Sequence, residues 1–547
     1  NKIKEWNTMK KALAILLTLA LLLGITGVSF ADDGWVTLRV ECFDRNITGF
    51  DVTNCWQLKY AQENFGDPNK IKLEFVSYSR WDEASLLTTD LAGGNTPDIC
   101  CTYNGSLVQQ YAEFDGLWQL DELLNTYGPN LKEFLGEELL GYGQMDLDGD
   151  GNKEQWYLPA RRISRANTNY FIRQDLLDKL GMAKPTNMDE LTAYLEAVQE
   201  QKLGGDNTVA YSFGIYADDP MFGIKFITNT FVDFTQVTEE DWFANARTPE
   251  MLPGAKEGLR WLNSLYNKGI ISAGFAINDD ATTDAEKIMG YNGVFSGQPD
   301  QPWRTDKNYQ IELEKNVEGG HYVSFNAFYN ESLGKYLHDI YSPAGLSVII
   351  PKTVSEDVAI AAIKYLDWMA IPENMFAMQN GIEGINYEGL TEDGIPYGTK
   401  SADEVPDENK MHAGDVVFIS NGLYYGSEEK NNAALALPFK GYEEDVKAAY
   451  VDALTDTWTQ ISFTVPIQAE TDYGATVKSA QGKFVADVVS CAPEKFDEVY
   501  DAGIQDILNS GAAQMIEEFR AAYQAGNYRG TFPGNACNGT DRRGCSP

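Results

Sequence analysis

Histidine is scarce in this sequence, with three residues in a chain of 547. The sequence also has no G-x-S-x-G and no H-E-x-x-H segment, so it indicates neither a serine-hydrolase nucleophile turn nor a metalloprotease zinc site. Glycan cleavage, however, needs only a pair of carboxylates, and the chain has 81 acidic residues. A glycan-degrading enzyme therefore stays open as an alternative.

Basic residues are also few compared with acidic ones. There are 43 Lys and Arg residues, and the formal net charge is −38 at pH 7. Binding to nucleic-acid phosphates needs a basic surface, so a nucleic-acid partner is not expected. Strong acidity of this kind favours solubility and an extracellular location.

Apolar runs long enough to cross a membrane are missing once the first 31 residues are passed. At the start, Met9-Lys10-Lys11 is a short basic region, Ala12 to Leu23 is apolar, and Ser29-Phe30-Ala31 is a small-x-small cleavage site. This pattern predicts a signal peptide over residues 9–31, cleaved after Ala31. A retained anchor helix is the alternative.

Cysteine is limited to seven residues, an odd number whose spacing fits no metal site. Cys100 and Cys101 lie in an apolar run and are predicted to be buried strand residues, while a Cys42–Cys55 disulfide stays open. No cysteine stands directly after the apolar N-terminal run, so a lipid anchor is not predicted. The last residues, 533–547, are interpreted as a disordered tail or an artefact.

Strands and helices alternate in what remains. Val36 to Cys42, Ile71 to Ser77 and Pro97 to Thr102 are predicted strands, separated by helices over Trp56 to Asn64 and Trp81 to Leu91. Such alternation is typical of an α/β fold, in which ligands bind beyond the carboxyl ends of the strands.

Further segments extend this α/β pattern through the chain. The predicted helices are Asp175 to Gly181, Pro185 to Gln201, Ala255 to Gly269 and Ser355 to Ala370. The predicted strands are Gly290 to Phe295 and Gly345 to Ile350. An amphipathic segment from Ile504 to Ala525 is predicted to be a closing helix.

Several segments, taken in order, resemble the family 1 extracellular solute-binding proteins of ABC importers, in the carbohydrate-uptake branch. The matching segments are NCWQLKYAQENFGDPNKIKLEFV (54–76), LAGGNTPDI (91–99), GLWQLDELLNTYGPNL (116–131), YFIRQDLLDKLGMAKPTNMDEL (170–191), WLNSLYNKGII (261–271) and YSPAGLSVIIPK (341–352). The resemblance implies a periplasmic-binding-protein (type 2) fold: two lobes, each a mixed sheet flanked by helices, joined by hinge crossovers. It implies an N-terminal lobe of residues 32–165 with about 341–400, and a C-terminal lobe of 166–340 with about 401–532.

The stretch DLDGDGNKEQW begins with aspartates at every second position: Asp146, Asp148 and Asp150. Alternating oxygen donors in a turn suit a hard cation such as Ca²⁺, and Asn152 and Glu154 continue the alternation. Tyr157 replaces the Glu that an EF-hand needs at its twelfth position, so an EF-hand pair is not predicted.

The stretch is similar to the single calcium loop of some oligosaccharide-binding members of the family, and that likeness implies ligands from Glu154 and Gln155. The expected calcium is structural rather than catalytic. A solvated Asp- and Gly-rich turn is the alternative.

Most candidate sugar-binding residues lie in loops after predicted strands, while Asn386 and Tyr387 follow a predicted helix. Sugar rings stack on aromatic side chains, and their hydroxyls need polar partners. By resemblance, the candidates are Tyr103, Asn104, Arg161, Arg162, Trp303, Asn386 and Tyr387. Packing in the core or on the lobe surface is the alternative for each aromatic residue, and Trp261 and Trp368 are assigned to packing because they lie in amphipathic helices.

The predicted function is capture of an oligosaccharide in a cleft between the lobes and delivery to an ABC permease. The protein is expected to be a monomer, secreted or held at the cell surface or in the periplasm, and not an enzyme. Three alternatives are a secreted calcium-stabilised glycan-degrading enzyme, a ligand sensor that presents its closed form to a receptor, and a peptide-binding protein.

Overall fold

A computed structural model describes residues 34–46, 50–216, 219–278, 280–304, 307–411 and 416–534. The predicted signal peptide at 9–31 and the tail from residue 535 onward, which includes Cys537 and Cys545, lie outside these ranges. The five cysteines within them are all thiols, so no Cys42–Cys55 disulfide is formed there. None of the helices in these ranges combines the length and apolarity needed to span a membrane.

The strands are short apart from the first two. In chain order they are β1 (Val36–Asp44), β2 (Ile71–Ser79), β3 (Cys100–Thr102), β4 (Gln144–Met145), β5 (Glu154–Gln155), β6 (Leu158–Arg162), β7 (Asn169–Arg173), β8 (Val209–Ser212), β9 (Asn292–Gly297), β10 (Tyr322–Phe325), β11 (Tyr329–Asn330), β12 (Lys335–Tyr336), β13 (His338–Ile340), β14 (Ala344–Ile349), β15 (Gly389–Leu390), β16 (Pro396–Tyr397), β17 (Ser420–Asn421), β18 (Thr457–Thr459), β19 (Ser462–Phe463) and β20 (Tyr528–Arg529).

The α-helices account for more of the chain than the strands do. They are α1 (Trp56–Ala61), α2 (Asp67–Asn69), α3 (Glu83–Gly93), α4 (Gly105–Glu113), α5 (Asp121–Tyr127), α6 (Pro129–Leu140), α7 (Gln174–Leu180), α8 (Met188–Glu200), α9 (Ile224–Phe231), α10 (Glu239–Ala244), α11 (Ala255–Asn267), α12 (Asp280–Ile288), α13 (Tyr309–Asn316), α14 (Glu356–Ala370), α15 (Pro372–Asn380), α16 (Glu428–Ala436), α17 (Glu443–Ala453), α18 (Gln468–Ser490), α19 (Phe496–Ile507) and α20 (Ala513–Gln524).

The chain divides into two compact units. Unit 1 is the chain up to Ser164 together with Pro343–Ala434, and unit 2 is Arg165–Ser342 together with the chain from Leu435. The second segment of unit 1 therefore runs past the predicted limit of about 400. The reason is that residues 416–419 are buried in the unit 1 core and β17 pairs with β6.

Unit 1 is built on a mixed sheet. Its strand order is β17-β6-β14-β3, and a parallel bridge from Val40 to Ile99 joins β3 to the parallel pair β1–β2. Strand β2 alternates between buried and more exposed residues, as a strand covered on one face should. Helix α14 packs on α6, α5 and β1 and buries one side of its amphipathic sequence in the same core.

Unit 2 contains a second mixed sheet, of order β10-β7-β9-β8. Strand β7 is antiparallel to both neighbours, whereas β8 is parallel to β9. All five residues of β7 are buried, as expected of a strand covered on both faces. The segment predicted as one closing helix is split between α19 and α20, because Gly511 has a φ of 115° between them.

Candidate functional site

The aspartate-rich loop connects β4 to β5, which pair as an antiparallel hairpin. Each of Asp146, Asp148 and Asp150 offers a carboxylate oxygen, and these oxygens lie within 4.8 Å of one another. The Asp146 carboxylate accepts hydrogen bonds from the backbone N–H groups of Gly149 and Gly151 at 2.7 and 3.0 Å. Both glycines have positive φ values, of 78° and 90°, which glycine adopts without strain.

The other predicted loop ligands divide into two groups. Asn152 stays in the loop, where its amide donates to Asp150 at 2.9 Å. Burial raises the pKa of the Glu154 carboxyl, and the charges of Asp148, Asp150 and Asp146 raise it further. Glu154 therefore shares the electrostatic environment of the three aspartates.

Gln155 is not placed as a loop ligand. Successive side chains of a strand point to opposite faces, so Gln155 turns away from the side that Glu154 occupies. It is 2% exposed, and its amide donates to the carbonyl oxygens of Leu140 and Tyr157 at 3.1 and 2.6 Å. Gln155 thus anchors the hairpin to the body of unit 1, and its assignment as a calcium ligand stays a prediction.

A second feature of unit 1 is one edge of its sheet, called here the carboxyl edge. Strands β1, β2, β3, β6 and β17 end there and β14 begins there, as the register shows by pairing Asp44 with Ser79, Ala344 with Arg161, and Asn421 with Arg162. Loops at this end of a sheet are the usual location of ligand sites in α/β folds.

Four side chains at the carboxyl edge form the edge cluster: Phe43, Arg80, Trp81 and Tyr103. The Arg80 guanidinium lies over the rings of Tyr103, Phe43 and Trp81 at 4.4, 5.2 and 5.7 Å from their centroids. The Phe43 and Tyr103 rings are stacked 6.2 Å apart. Trp81 is 74% exposed, so most of its ring is open to solvent beside a guanidinium.

The edge cluster is fixed from below by polar contacts. The Tyr103 hydroxyl accepts a hydrogen bond of 2.7 Å from the Asn421 amide. The backbone of Gly345 passes so close that a Cβ there would lie 2.7 Å from the Asn421 Cβ, which requires glycine. Beneath the loop, buried Glu83 accepts from the Thr102 hydroxyl at 3.2 Å.

Unit 2 contains a cavity of about 1370 Å³. Its wall includes Asn167, Lys225, Trp242, Trp458 and Gln460. The two tryptophan rings meet edge to face with centroids 4.9 Å apart. The volume exceeds the roughly 300–1,000 Å³ of pockets for drug-sized ligands.

The polar side of the cavity wall is organised around Asp339, which is 2% exposed. Its carboxylate accepts from the amides of Asn167 and Gln460 at 2.7 and 2.8 Å, and it lies 3.4 Å from the Lys225 amine. Burial acts to raise the pKa of Asp339, but the Lys225 charge and these hydrogen bonds outweigh it, and the pKa is lowered. Asp339 is therefore a buried carboxylate that orients two amides of the wall.

A model of the bacterial extracellular solute-binding protein family matches residues 59–386, which is more than half of the chain. The chain belongs to this family. Its members are binding proteins rather than enzymes, in agreement with the prediction that the chain binds a solute and does not catalyse a reaction. A comparison with curated protein sequences finds no match.

Solved structures with the same fold include several solute-binding proteins. An HMO-binding protein from Bifidobacterium longum infantis is 16% identical, with a TM-score of 0.59 and coverage of 90% of this chain and 100% of its own. The S. pneumoniae protein FusA in complex with kestose is 17% identical, with the same TM-score and the same coverage. A second structure of FusA is of its EF-hand mutant.

An alginate-binding protein solved without calcium ion is 16% identical, with a TM-score of 0.56 and coverage of 91% of this chain and 100% of its own. At such identities the likeness shows the fold, and it confirms the predicted α/β solute-binding fold.

Within this solute-binding protein, two predicted residues lie at the carboxyl edge beyond β3. Tyr103 belongs to the edge cluster. Asn104 is exposed, but its side chain accepts from the backbone N–H of Leu107 at 3.1 Å and caps helix α4. The side-chain oxygen of Asn104 is therefore used in the helix cap, and its side-chain nitrogen is the polar atom that a ligand could contact.

The two predicted arginines lie at the end of β6, at the same edge. The Arg161 guanidinium donates to the carbonyl oxygens of Phe134 and Leu135, next to a break in α6 where Gly136 has a φ of 73°. It serves the helix break and not an open surface. Arg162 is half-buried, and its backbone pairs in register with Asn421. Asn421 is the residue whose amide donates to the Tyr103 hydroxyl.

The remaining three candidates pack inside their own units. Trp303 is 3% exposed and meets Phe171 edge to face at 5.7 Å. Asn386 is buried, and its amide accepts from the Ile382 N–H and donates to the Asn409 carbonyl at 2.9 Å each. Tyr387 is buried against Phe376. Their placement favours the packing alternative over sugar contact at these positions.

Sequence reasoning missed Arg80 and Trp81 as candidate ligand contacts. A signal existed, because both follow β2 directly just as Tyr103 follows β3, but Trp81 was assigned to the start of a helix that begins at Glu83. The cavity residues Trp458 and Gln460 carried no such signal. Trp458 lies in β18 and Gln460 follows it, and β18 pairs with β13, more than a hundred residues earlier.

Proposed function

We propose that this protein captures an oligosaccharide outside the bacterial cell and delivers it to the membrane subunits of an ABC importer. The observation that carries the proposal is the edge cluster, in which an exposed tryptophan ring lies beside an arginine, a tyrosine and a supporting amide. Aromatic faces stack on the apolar faces of sugar rings, and guanidinium and amide groups bond to hydroxyls.

Structures that share the fold support the same ligand class. Of those named above, one is an HMO-binding protein, one is in complex with kestose and one is an alginate-binding protein. The size of the unit 2 cavity, about 1370 Å³, also favours a ligand of several sugar units over a single small molecule. We assign the carboxyl edge of unit 1 and the cavity of unit 2 as the two candidate sugar-binding surfaces.

The proposal includes a calcium ion bound by the aspartate-rich loop. Oxygens that bind Ca²⁺ at about 2.3–2.6 Å lie no more than about 5.2 Å apart, and the oxygens of Asp146, Asp148 and Asp150 meet that limit. Glu154 is the fourth protein ligand in this proposal. The ion neutralises the clustered charge and rigidifies the β4–β5 hairpin, and it takes no part in chemistry.

The proposal places the mature protein outside the membrane as a monomer, after cleavage at Ala31. Mass spectrometry of the secreted protein tests the cleavage site, with a mature chain that begins at Asp32 as the expected result. Analytical ultracentrifugation tests the oligomeric state.

The central test is thermal melting of the chain from Asp32 in calcium buffer against a panel of plant and mucosal oligosaccharides. A ligand at 100 times its dissociation constant adds about 2.7 kcal/mol to the free energy of unfolding. A rise in Tm with one glycan that mass spectrometry recovers uncleaved supports capture.

The melting experiment separates capture from glycan cleavage and from peptide binding, and a partner-binding assay separates capture from sensing. Cleavage of the glycan supports a glycan-degrading enzyme. If no glycan raises Tm while a peptide does, the oligosaccharide proposal is overturned. Binding to a receptor domain in place of permease subunits supports a ligand sensor.

A further inference from the structure

The charges of the unit 2 cavity are already balanced within the protein. Lys225, deep in the wall, lies 3.4 Å from Asp339 and 3.9 Å from Asp219. The Arg247 guanidinium lies 2.7 Å from a Glu470 oxygen. These two cations have their counter-charges in place before any ligand arrives.

The other two lining cations are on the exposed side of helix α18. Lys483 lies 2.8 Å from Asp487. Within the described residues, Lys478 alone among the lining cations has no carboxylate partner, and it is exposed to solvent. A solvated ammonium at the rim attracts an anion weakly, because water and salt screen it.

The carboxyl edge of unit 1 is balanced in a similar way. Arg80 stacks on Phe43 and Tyr103, and it interacts with the buried carboxylate of Glu83, whose pKa burial raises and the Arg80 charge lowers. The Arg161 guanidinium is turned to backbone carbonyls. Arg80 therefore serves to position aromatic rings and Arg161 to hold the break in α6, and neither guanidinium forms a receptor for anions.

We infer that the ligand is a neutral oligosaccharide, one without carboxylate, sulfate or phosphate groups; this inference rests on the proposed function. A carboxylate that is desolvated without a new counter-charge loses affinity. The protein as a whole, with 81 acidic and 43 basic residues, repels an anionic glycan at a distance. Hydroxyl groups are uncharged, so they need no counter-charge in the site and are not repelled by the acidic protein.

The test is a matched pair made from whichever neutral oligosaccharide of the panel raises Tm. The second member is the same oligosaccharide with its primary alcohols oxidised to carboxylates. Isothermal titration of the chain from Asp32 gives Kd for both members at 50 and 500 mM NaCl. We expect the neutral member to change less than twofold with salt, and the oxidised member to bind at least tenfold more weakly at 50 mM NaCl and to recover in part at 500 mM.

Salt dependence separates a charge effect from a loss of fit, because screening relieves only the former. The neutral-ligand inference is overturned if the panel yields an acidic glycan alone, or if the Kd of the neutral member rises more than fivefold from 50 to 500 mM NaCl. Oligosaccharide capture stands in either case. If no glycan of either kind binds, the proposed function is overturned and this inference with it.

Discussion

Replacement of Glu250 by Gln should stabilise the protein at alkaline pH and leave it nearly unchanged at acid pH. Glu250 is fully buried, and one carboxyl oxygen accepts a hydrogen bond of 2.8 Å from the Gln481 amide. Burial raises the pKa of this carboxyl to about 7, and the hydrogen bond from Gln481 only partly opposes that rise. Gln keeps the acceptor oxygen and the shape but cannot ionise.

The magnitude follows from the pKa. The folded state holds the proton more tightly than the unfolded chain, so the contribution of Glu250 to the free energy of unfolding is present below pH 4.5 and is lost as the pH rises through about 7. At about 1.36 kcal/mol per pKa unit, the full loss is about 3 kcal/mol. The difference between Glu250→Gln and the parent should therefore grow by about 3 kcal/mol between pH 4 and pH 8.

Urea unfolding of both proteins at pH 4, 6 and 8 measures this difference. Glu517→Gln is the matched control, since Glu517 is an exposed acid of the same unit, and its difference from the parent should stay within about 0.5 kcal/mol. A Glu250→Gln difference that does not change with pH would refute the assignment of Glu250 as a buried acid that ionises at a cost.

Three further predictions concern the loop, a buried histidine and a close contact. Asp148→Asn with Asp150→Asn should weaken Ca²⁺ binding at least tenfold by titration calorimetry, and EDTA should lower the parent's Tm while leaving that of the double variant unchanged. Burial lowers the pKa of His338 to about 4, so its contribution to stability is present above pH 6.5 and is lost as the pH falls through 4. His338→Gln should therefore gain about 3 kcal/mol on the parent from pH 7 to pH 4 in urea unfolding. Gly345→Ala should cost about 1–3 kcal/mol of unfolding free energy, and an unchanged Tm would contradict the contact described for that backbone.

Local patterns predicted much of the fold because they arise from neighbouring residues. The alternation of β1 and β2 and the amphipathic periodicity of α11 and α14 are visible within ten to fifteen residues. The structure places these elements within a few residues of the predicted bounds. The break at Gly511 escaped prediction because the apolar periodicity continues across it while one φ angle interrupts the helix.

The candidate site was predictable only where it depends on the end of a local strand. Tyr103 follows β3 in sequence and in space, so its position at the carboxyl edge could be read from the sequence. The partner that fixes it, Asn421, is more than three hundred residues away and enters through β17, a strand of two residues. Trp303 has the composition and loop setting of a ligand contact, but its packing against Phe171 depends on strand pairing that the sequence does not contain.

The most direct test of the account is the affinity of Trp81→Ala for the oligosaccharide found by thermal melting. A ligand that covers roughly 40–80 Å² of the exposed ring gains about 1–2 kcal/mol from that contact, so Kd should rise by about five- to thirtyfold. Phe114→Ala is the control: Phe114 is also exposed, at 47%, but follows the far end of α4, a helix that starts at the carboxyl edge. Its Kd should change less than twofold. If Trp81→Ala binds as tightly as the Phe114 variant, the edge cluster is not the sugar-binding surface.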